Sequence, residues 1–313
     1  MRGMLVRLTE GWREVLARRA EADEGHPEPV RALLGEMAAA AVLMQANIKF
    51  DGALVLQVHG DGPVKLAVAE AQPELTFRVT AKVTGEVPPH ARLEALLNVR
   101  GKGRCAITLD PRSRRRGLQP YQGIVPLHGD RREPLQELAQ VLEHYMLQSE
   151  QLDTKLVLAA DDRVAAGLLI QRLPSTGAGN LAGAVLPPDE DQIGRNEDYN
   201  RIAHLASTLT RAELLELDAE TILRRLFWEE RLLRFPPLEG AEGPRFACSC
   251  SRERVGAMLK GLGRAEIDSI VAERGVVEIG CEFCGRKYHY DPVDVGELFT
   301  PGRDQPPAST TLN

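Results

Sequence analysis

Leu75-Thr-Phe-Arg-Val-Thr-Ala-Lys-Val83 is the stretch that decides the fold class. Leu75, Phe77, Val79, Ala81 and Val83 alternate with Thr76, Arg78, Thr80 and Lys82, the period of a strand with one buried face and one wet face. Toward the N-terminus, Leu54 to His59 and Val64 to Val68 flank Gly60-Asp61-Gly62-Pro63, whose glycines and proline supply turn geometry, so these segments read as a hairpin. Toward the C-terminus, Arg104 to Leu109, Tyr121 to Leu127, Leu156 to Ala160 and Ala165 to Leu173 read as further strands. The last two are joined by a short Asp161-Asp162-Arg163 turn. Apolar residues recur at helical spacing in Thr9 to Ala20, Val30 to Ala46 and Pro134 to Ser149; in the last, Leu135, Leu138, Leu142, Tyr145 and Met146 form a stripe able to cover a sheet. Hairpins dominate and helices are grouped. The class is therefore α+β, a hairpin-rich sheet packed with helices, rather than a doubly wound parallel sheet.

The remaining chain divides by composition. Residues 1–175 form the α+β core, 176–244 an acidic helical linker, 245–298 a small cysteine-bearing unit, and 299–313 a disordered tail. The linker opens in a Gly/Pro/Ala stretch and then turns helical: Ile202, Leu205, Ala206 and Leu209 share a face, Thr210-x-x-Glu213 is a capping box, and Asp218 caps a helix carrying Ile222, Leu223, Leu226 and Phe227. Such short helices are marginal alone and need an apolar surface to dock on, which makes the linker a candidate two-state element.

The chain of 313 residues has a net charge of −6, and residues 189–244 alone hold 13 acidic and 7 basic side chains, the whole of the excess. That balance argues against a nucleic-acid partner, because phosphate binding needs concentrated positive charge. The longest apolar run, Met37 to Met44, is 8 residues; a membrane-spanning helix takes about 20. Charges break every short apolar group of the opening MRGMLVRLTEGWRE, so no secretory signal is expected and the compartment is read as the cytoplasm.

Cys248, Cys250, Cys281 and Cys284 fall as C-x-C-x30-C-x2-C. Two close pairs separated by a helical insert are what a closed tetrahedral zinc site requires, and a unit of about 50 residues usually needs such a staple. The alternative is four unliganded thiols. His289 could compete as a ligand, but four sulfurs already fill the shell. The C-x-C half leaves little room for a regular knuckle, and a disulfide closed over it should be strained and easily reduced, which suits reversible switching. Cys250 precedes Ser251, a plausible helix cap, so the helix N-terminus would favour its thiolate. Oxidation of zinc thiolates would release the metal and unfold a unit that depends on it.

Other features read blandly. Arg112, Arg114, Arg115 and Arg116 look like a solvated hairpin loop rather than a phosphate patch; Gly177, Gly179 and Gly183 look like linker rather than a dinucleotide fingerprint; and Cys105, alone in a strand, looks like an inert buried thiol. No Ser/His/Asp or paired-carboxylate constellation stands out.

The motifs also resemble those of a known family. Lys49-Phe-Asp-Gly52, Gly60-Asp-Gly-Pro63, Tyr121-Gln-Gly123, Ser149-Glu-Gln151, Cys248-Ser-Cys250-Ser-Arg-Glu-Arg254 and Cys281-Glu-Phe-Cys284-Gly285 are similar, in the same order over nearly the whole chain, to the redox-regulated bacterial heat-shock chaperones called 33 kDa chaperonins. The resemblance implies an ATP-independent holdase for unfolding clients, not an enzyme. It further implies one zinc per chain and inactivity when reduced, activation by oxidants with mild unfolding stress, and a homodimer when oxidised. By the same resemblance the ligands become two disulfides, Cys248–Cys250 and Cys281–Cys284. One departure is visible: the short strand that family members carry ahead of an Arg-Gly pair has no counterpart before Arg2-Gly3. The client-contact residues are not legible. Two rivals are a thiol–disulfide oxidoreductase using Cys281 and Cys284, weakened by their apparent hairpin setting, and a zinc-ribbon nucleic-acid module, weakened by the lack of an interleaved basic and aromatic surface.

Overall fold

The alternation along the central strands closes into a six-stranded sheet ordered β6-β5-β2-β3-β4-β9 in a computed structural model that describes residues 1–21, 25–113, 119–173 and 196–300. Its members are β2 (Gly52–His59), β3 (Val64–Ala71), β4 (Thr76–Val83), β5 (Arg104–Pro111), β6 (Tyr121–Pro126) and the short β9 (Arg245–Phe246). A three-stranded sheet, ordered β1-β8-β7, pairs β1 (Arg2–Leu8) and β7 (Thr154–Ala160) with β8 (Ala165–Gln171), all antiparallel.

Between the two sheets runs α2 (Glu28–Asn47), which packs against strands of both. Ala38, Ala39, Ala40 and Ala41 are fully buried, as are Val30 and Met37. Small side chains all round let both sheets approach the helix; at Gly35 a Cβ would stand 2.3 Å from that of Ala160, so only glycine fits. The other helices of this part are α1 (Glu10–Glu21), α3 (Leu93–Leu97) and α4 (Leu138–Glu150). Fully buried Trp12 of α1 ties the sheets' surroundings together by donating its indole N–H to the Asp161 carbonyl at 2.7 Å.

The stretch read as an acidic helical linker, 176–244, is helical in α5 (Glu197–Ser207), α6 (Arg211–Glu216) and α7 (Ala219–Phe227), whereas its residues 228–244 carry no helix. Asn196, Thr210 and Asp218 each cap a helix by accepting a backbone N–H, from Tyr199, Glu213 and Thr221 respectively. The outer face of β7 and β8, with Ala159, Val164, Ala166, Leu168 and Ile170, forms a second core with Tyr199, Leu209, Leu214, Ile222, Leu226 and Phe227. Arg7 of β1 adds a polar tether, donating to the carbonyls of Leu214 and Leu215.

The chain separates into two compact units, Met1–Ala247 and Cys248–Asn313. The second contains α8 (Arg252–Leu262), α9 (Arg264–Arg274), α10 (Pro292–Phe299) and the hairpin β10 (Val277–Gly280)–β11 (Lys287–Tyr290). Its buried core is Leu259, Ile267, Val277, Tyr288, Tyr290 and Val295, with Cys284 also buried.

Several boundaries differ from the sequence reading. Arg2–Leu8 is a strand that the reading passed over because charges interrupt it; Val6 and Leu8 are buried while Arg2 and Gly3 stay exposed. β3 runs on to Ala71, since Ala69 and Ala71 pair with Val79 and Phe77. Leu75 lies just outside β4 with φ 56°, in a turn closed by its N–H to Gln72. α4 starts at Leu138 rather than Pro134, because Pro134 and Leu135 pair back on His128 and Leu127. α10 was not anticipated: Asp291 caps it, Pro292 opens it, and Phe299, expected in the tail, is its last residue and packs on the small core. The glycines Gly177, Gly179 and Gly183, residues Arg114 to Arg116 and positions 301–313 lie outside the described residues.

Candidate metal centre

Two local devices present the cysteines. Cys250 ends an extended segment directly before Ser251, whose hydroxyl caps α8 by accepting the Arg254 N–H at 3.2 Å. Cys281 and Cys284 sit in the tight turn between β10 and β11, closed by Cys281 N–H to Arg286 O at 2.9 Å and Gly285 N–H to Cys281 O at 2.8 Å.

Together they place the four sulfurs within 4.8 Å of one another. Two contacts cross between the pairs: Cys248 Sγ to Cys281 Sγ at 3.6 Å and Cys250 Sγ to Cys284 Sγ at 3.3 Å. A tetrahedral ion with metal–sulfur bonds of about 2.3 Å sets its sulfurs about 3.8 Å apart, so the cluster has the size of a four-thiolate site. All four thiols are free.

The turn also prepares the sulfurs electrically. Cys281 accepts from the Cys248 thiol and from the backbone N–H groups of Cys284 and Phe283, which hold it down to about 4 against its burial. Cys248 is correspondingly pushed up, because its proton is engaged with Cys281 and the site is partly desolvated. Burial raises Cys284, partly offset by the Arg286 N–H. These donors suit anionic sulfur in a small, half-buried pocket. They fit a thiophilic ion such as zinc.

One contact was not visible in the sequence: the Tyr288 hydroxyl donates to Cys250 Sγ at 3.1 Å. Its only signal was an aromatic residue four places after Cys284, on the strand leaving the turn. Arg252 anchors the surroundings, bridging to Asp294 at 2.6 Å and lying 4.3 Å over the Tyr290 ring.

The remaining candidates stay apart. His289 faces Glu278 at 3.4 Å and is not among the clustered ligand atoms. Cys105 is buried in β5 of the first unit, where desolvation raises its thiol to about 12. Arg112 is paired with Glu74 at 2.6 Å and with Asp51 at 3.7 Å, consistent with a hairpin residue rather than a phosphate site. Cys281 and Cys284 stand between two strands, not between a strand and a helix N-terminus as a thioredoxin-like nucleophile would.

The family model described as Hsp33 protein matches residues 1–291. The 33 kDa chaperonin of Chromobacterium violaceum is 45% identical over 299 residues, covering 96% of this chain and 90% of the relative. That of Nitrosococcus oceani is 41% identical over 310 residues, covering 99% and 94%. This chain belongs to the Hsp33 chaperone family. The crystal structure of the 33 kDa chaperonin (heat shock protein 33 homolog) from Thermotoga maritima shares the fold, with a TM-score of 0.72 over 95% of this chain and 92% of that one at 22% identity.

In this Hsp33-family chain, the residues between α7 and β9 add a surface that sequence periodicity could not rank. Trp228 is 74% exposed, Leu233 84% and Phe235 81%, with Leu238 also open, although residues of this kind are normally buried. No helix among the described residues is long and apolar enough to cross a membrane.

Proposed function

We propose that the protein is a redox-switched, ATP-independent holdase, silent while four thiolates share one zinc and competent to bind unfolding proteins once they are oxidised. The observation that carries this reading is the four-sulfur cluster set into a unit with a very small apolar core. Bound zinc would supply the crosslink, and the folding free energy, that such a unit lacks. Cys248 and Cys250 would hold it from the segment before α8, Cys281 and Cys284 from the β10–β11 turn.

Activation draws on the sulfurs themselves. A thiolate attacks a peroxide oxygen, becomes a sulfenic acid and releases hydroxide; its partner sulfur then attacks that sulfur, expels a second hydroxide and closes the disulfide, two electrons having passed to the peroxide. The pairs are Cys248–Cys250 and Cys281–Cys284, an assignment carried by the family resemblance. Neither bond joins the two halves of the unit, so oxidation removes the crosslink. The loosened unit is covalently joined to the linker, whose short helices dock mainly through apolar side chains. Undocking would offer those faces, together with Trp228, Leu233, Phe235 and Leu238, to apolar segments of clients.

The action is holding rather than catalysis, in the cytoplasm, with unfolded or partly folded proteins as partners and a homodimer as the oxidised form. Nucleic acid and membrane have no part in it. Zinc content and suppression of client aggregation, measured on one sample before and after peroxide with mild heat, test the reading. About one zinc per chain and no holding should give way to no zinc and full holding. Equal holding in both states, or no metal after anaerobic purification, would refute it.

A further inference from the structure

The large sheet ends in an unusual edge. Among its described pairs, β2–β3, β2–β5, β3–β4 and β5–β6 are antiparallel, whereas β9 lies parallel to β4 and comprises only Arg245–Phe246. No hairpin fixes its register, since its partners Thr76 and Phe77 are far away in sequence. Its backbone donates Arg245 N–H to Leu75 O at 3.2 Å and Ala247 N–H to Phe77 O at 3.1 Å.

The side of this edge is shaped for a passing strand. Phe246 packs, partly buried, against the main core, and the Arg18 guanidinium of α1 lies 5.3 Å from its ring centroid. Gly11 of α1 makes the room: a Cβ there would stand 2.9 Å from the Phe246 nitrogen and 3.1 Å from the Phe77 ring. The slot thus accepts an extended backbone with one large apolar side chain beneath a cation. Ala247 is followed immediately by Cys248, so the segment filling the slot is covalently continuous with the first cysteine of the redox unit.

We propose that the β4 edge from Leu75 to Phe77, with the slot beside Gly11 and Arg18, binds an extended apolar segment of an unfolded protein, and that Arg245–Ala247 fills it as a stand-in while the protein is silent. The inference rests on the holdase reading and gives it a defined contact. An unpaired strand edge recognises main-chain N–H and C=O groups, which an unfolded chain of almost any sequence offers, while the Phe246 position selects a large apolar, preferably aromatic, residue. Folded proteins present few such free segments. When the redox unit loosens, the two-residue strand loses its continuity with a folded neighbour, and a longer client segment has more backbone to pair.

The test uses the full-length protein with benzoylphenylalanine in place of Thr76 and, as control, of Lys82, which pairs with β3 at the other end of β4. Thermally unfolding citrate synthase is the client. Reduced protein irradiated at the Thr76 position should crosslink internally to residues 245–247; oxidised protein should crosslink to client at least fivefold more than from the Lys82 position. An eight-residue peptide copying residues 240–247 should compete, and the same peptide N-methylated at the amides of Arg245 and Ala247 should not. Phe246→Ser should speed exchange of the Arg245 and Ala247 amides at least tenfold while zinc is retained, and, combined with benzoylphenylalanine at position 76, should raise crosslinking to client in the reduced state. Oxidised protein that prevents aggregation but crosslinks equally from both positions, or is competed equally by both peptides, overturns the proposal and leaves the holdase reading intact. Oxidised wild-type protein that fails to prevent aggregation removes both.

Discussion

Arg211, the first residue of α6, sets its guanidinium 3.2 Å from the carboxylate of Glu36 on α2, and a second nitrogen of the same side chain bonds the Ala160 carbonyl. A polar contact therefore joins the linker to the core beside the apolar faces. Burial raises Glu36 to about 7, with Arg211 pulling it down and Glu137 pushing it further up.

Undocking α6 would rehydrate Glu36 and return it toward its ordinary value near 4.5. The docked state then binds the proton more tightly, so docking is strongest below that value and weakens as pH rises through about 7. With a fifth of the side chain still in water, the change should be on the order of 1–3 kcal/mol. Linker amide exchange in the reduced protein should accelerate between pH 5 and pH 7.5 after correction for intrinsic rates, and Glu36→Gln should flatten that dependence. The same slope in the variant would place the titrating group elsewhere.

Leu226 and Phe227 are each 4% exposed in the second core. Leu226→Ser with Phe227→Ser should remove roughly 2–5 kcal/mol per site from the docked state, enough to reverse a switch poised by a few kcal/mol. Aggregation assays should find the reduced, zinc-loaded variant already holding clients. A variant that stays silent when reduced, with normal linker exchange, would show that linker docking is not what silences the protein.

The Tyr288 hydroxyl shares the electron density of Cys250 Sγ. Tyr288→Phe keeps the ring in the small core and deletes one hydrogen bond, worth about 1–2 kcal/mol. Zinc stoichiometry should be unchanged, while transfer of zinc to a chelator and oxidation by peroxide should each quicken several-fold. Rates matching wild type would assign the hydroxyl a packing role alone.

Cys105→Ser should retain zinc binding and oxidative activation, since the thiol is buried in β5 and raised to about 12. Its cost is confined to core packing, on the order of 1 kcal/mol. Loss of activation in a folded, metal-loaded variant would give this residue a part in the switch.

Period and punctuation made most of the fold legible. β4 was readable because Phe77, Val79 and Ala81 alternate, and α6 because Thr210 and Glu213 form a reciprocal cap. β1 was hidden because Arg2 and Arg7 break its apolar pattern, yet Arg7 reaches across to the linker carbonyls, a long-range tether that no local window contains. β9 is too short for any periodicity and exists only because Leu75 and Phe77, remote in sequence, offer it their carbonyls. Of the candidate centre, spacing grouped the cysteines, but it could not show that sulfurs of opposite pairs meet, Cys248 with Cys281 and Cys250 with Cys284, or that Tyr288 meets Cys250.

The buried alanines of α2 carry an evolutionary consequence. A helix whose middle, Met37 to Met44, is buried between two sheets has few neutral positions there, because added volume clashes and added polarity goes unsatisfied. Under the switch proposed above, a shifted trigger point would come instead from substitutions in the linker helices, their caps and their ionic contacts, which alter a balance without endangering the scaffold.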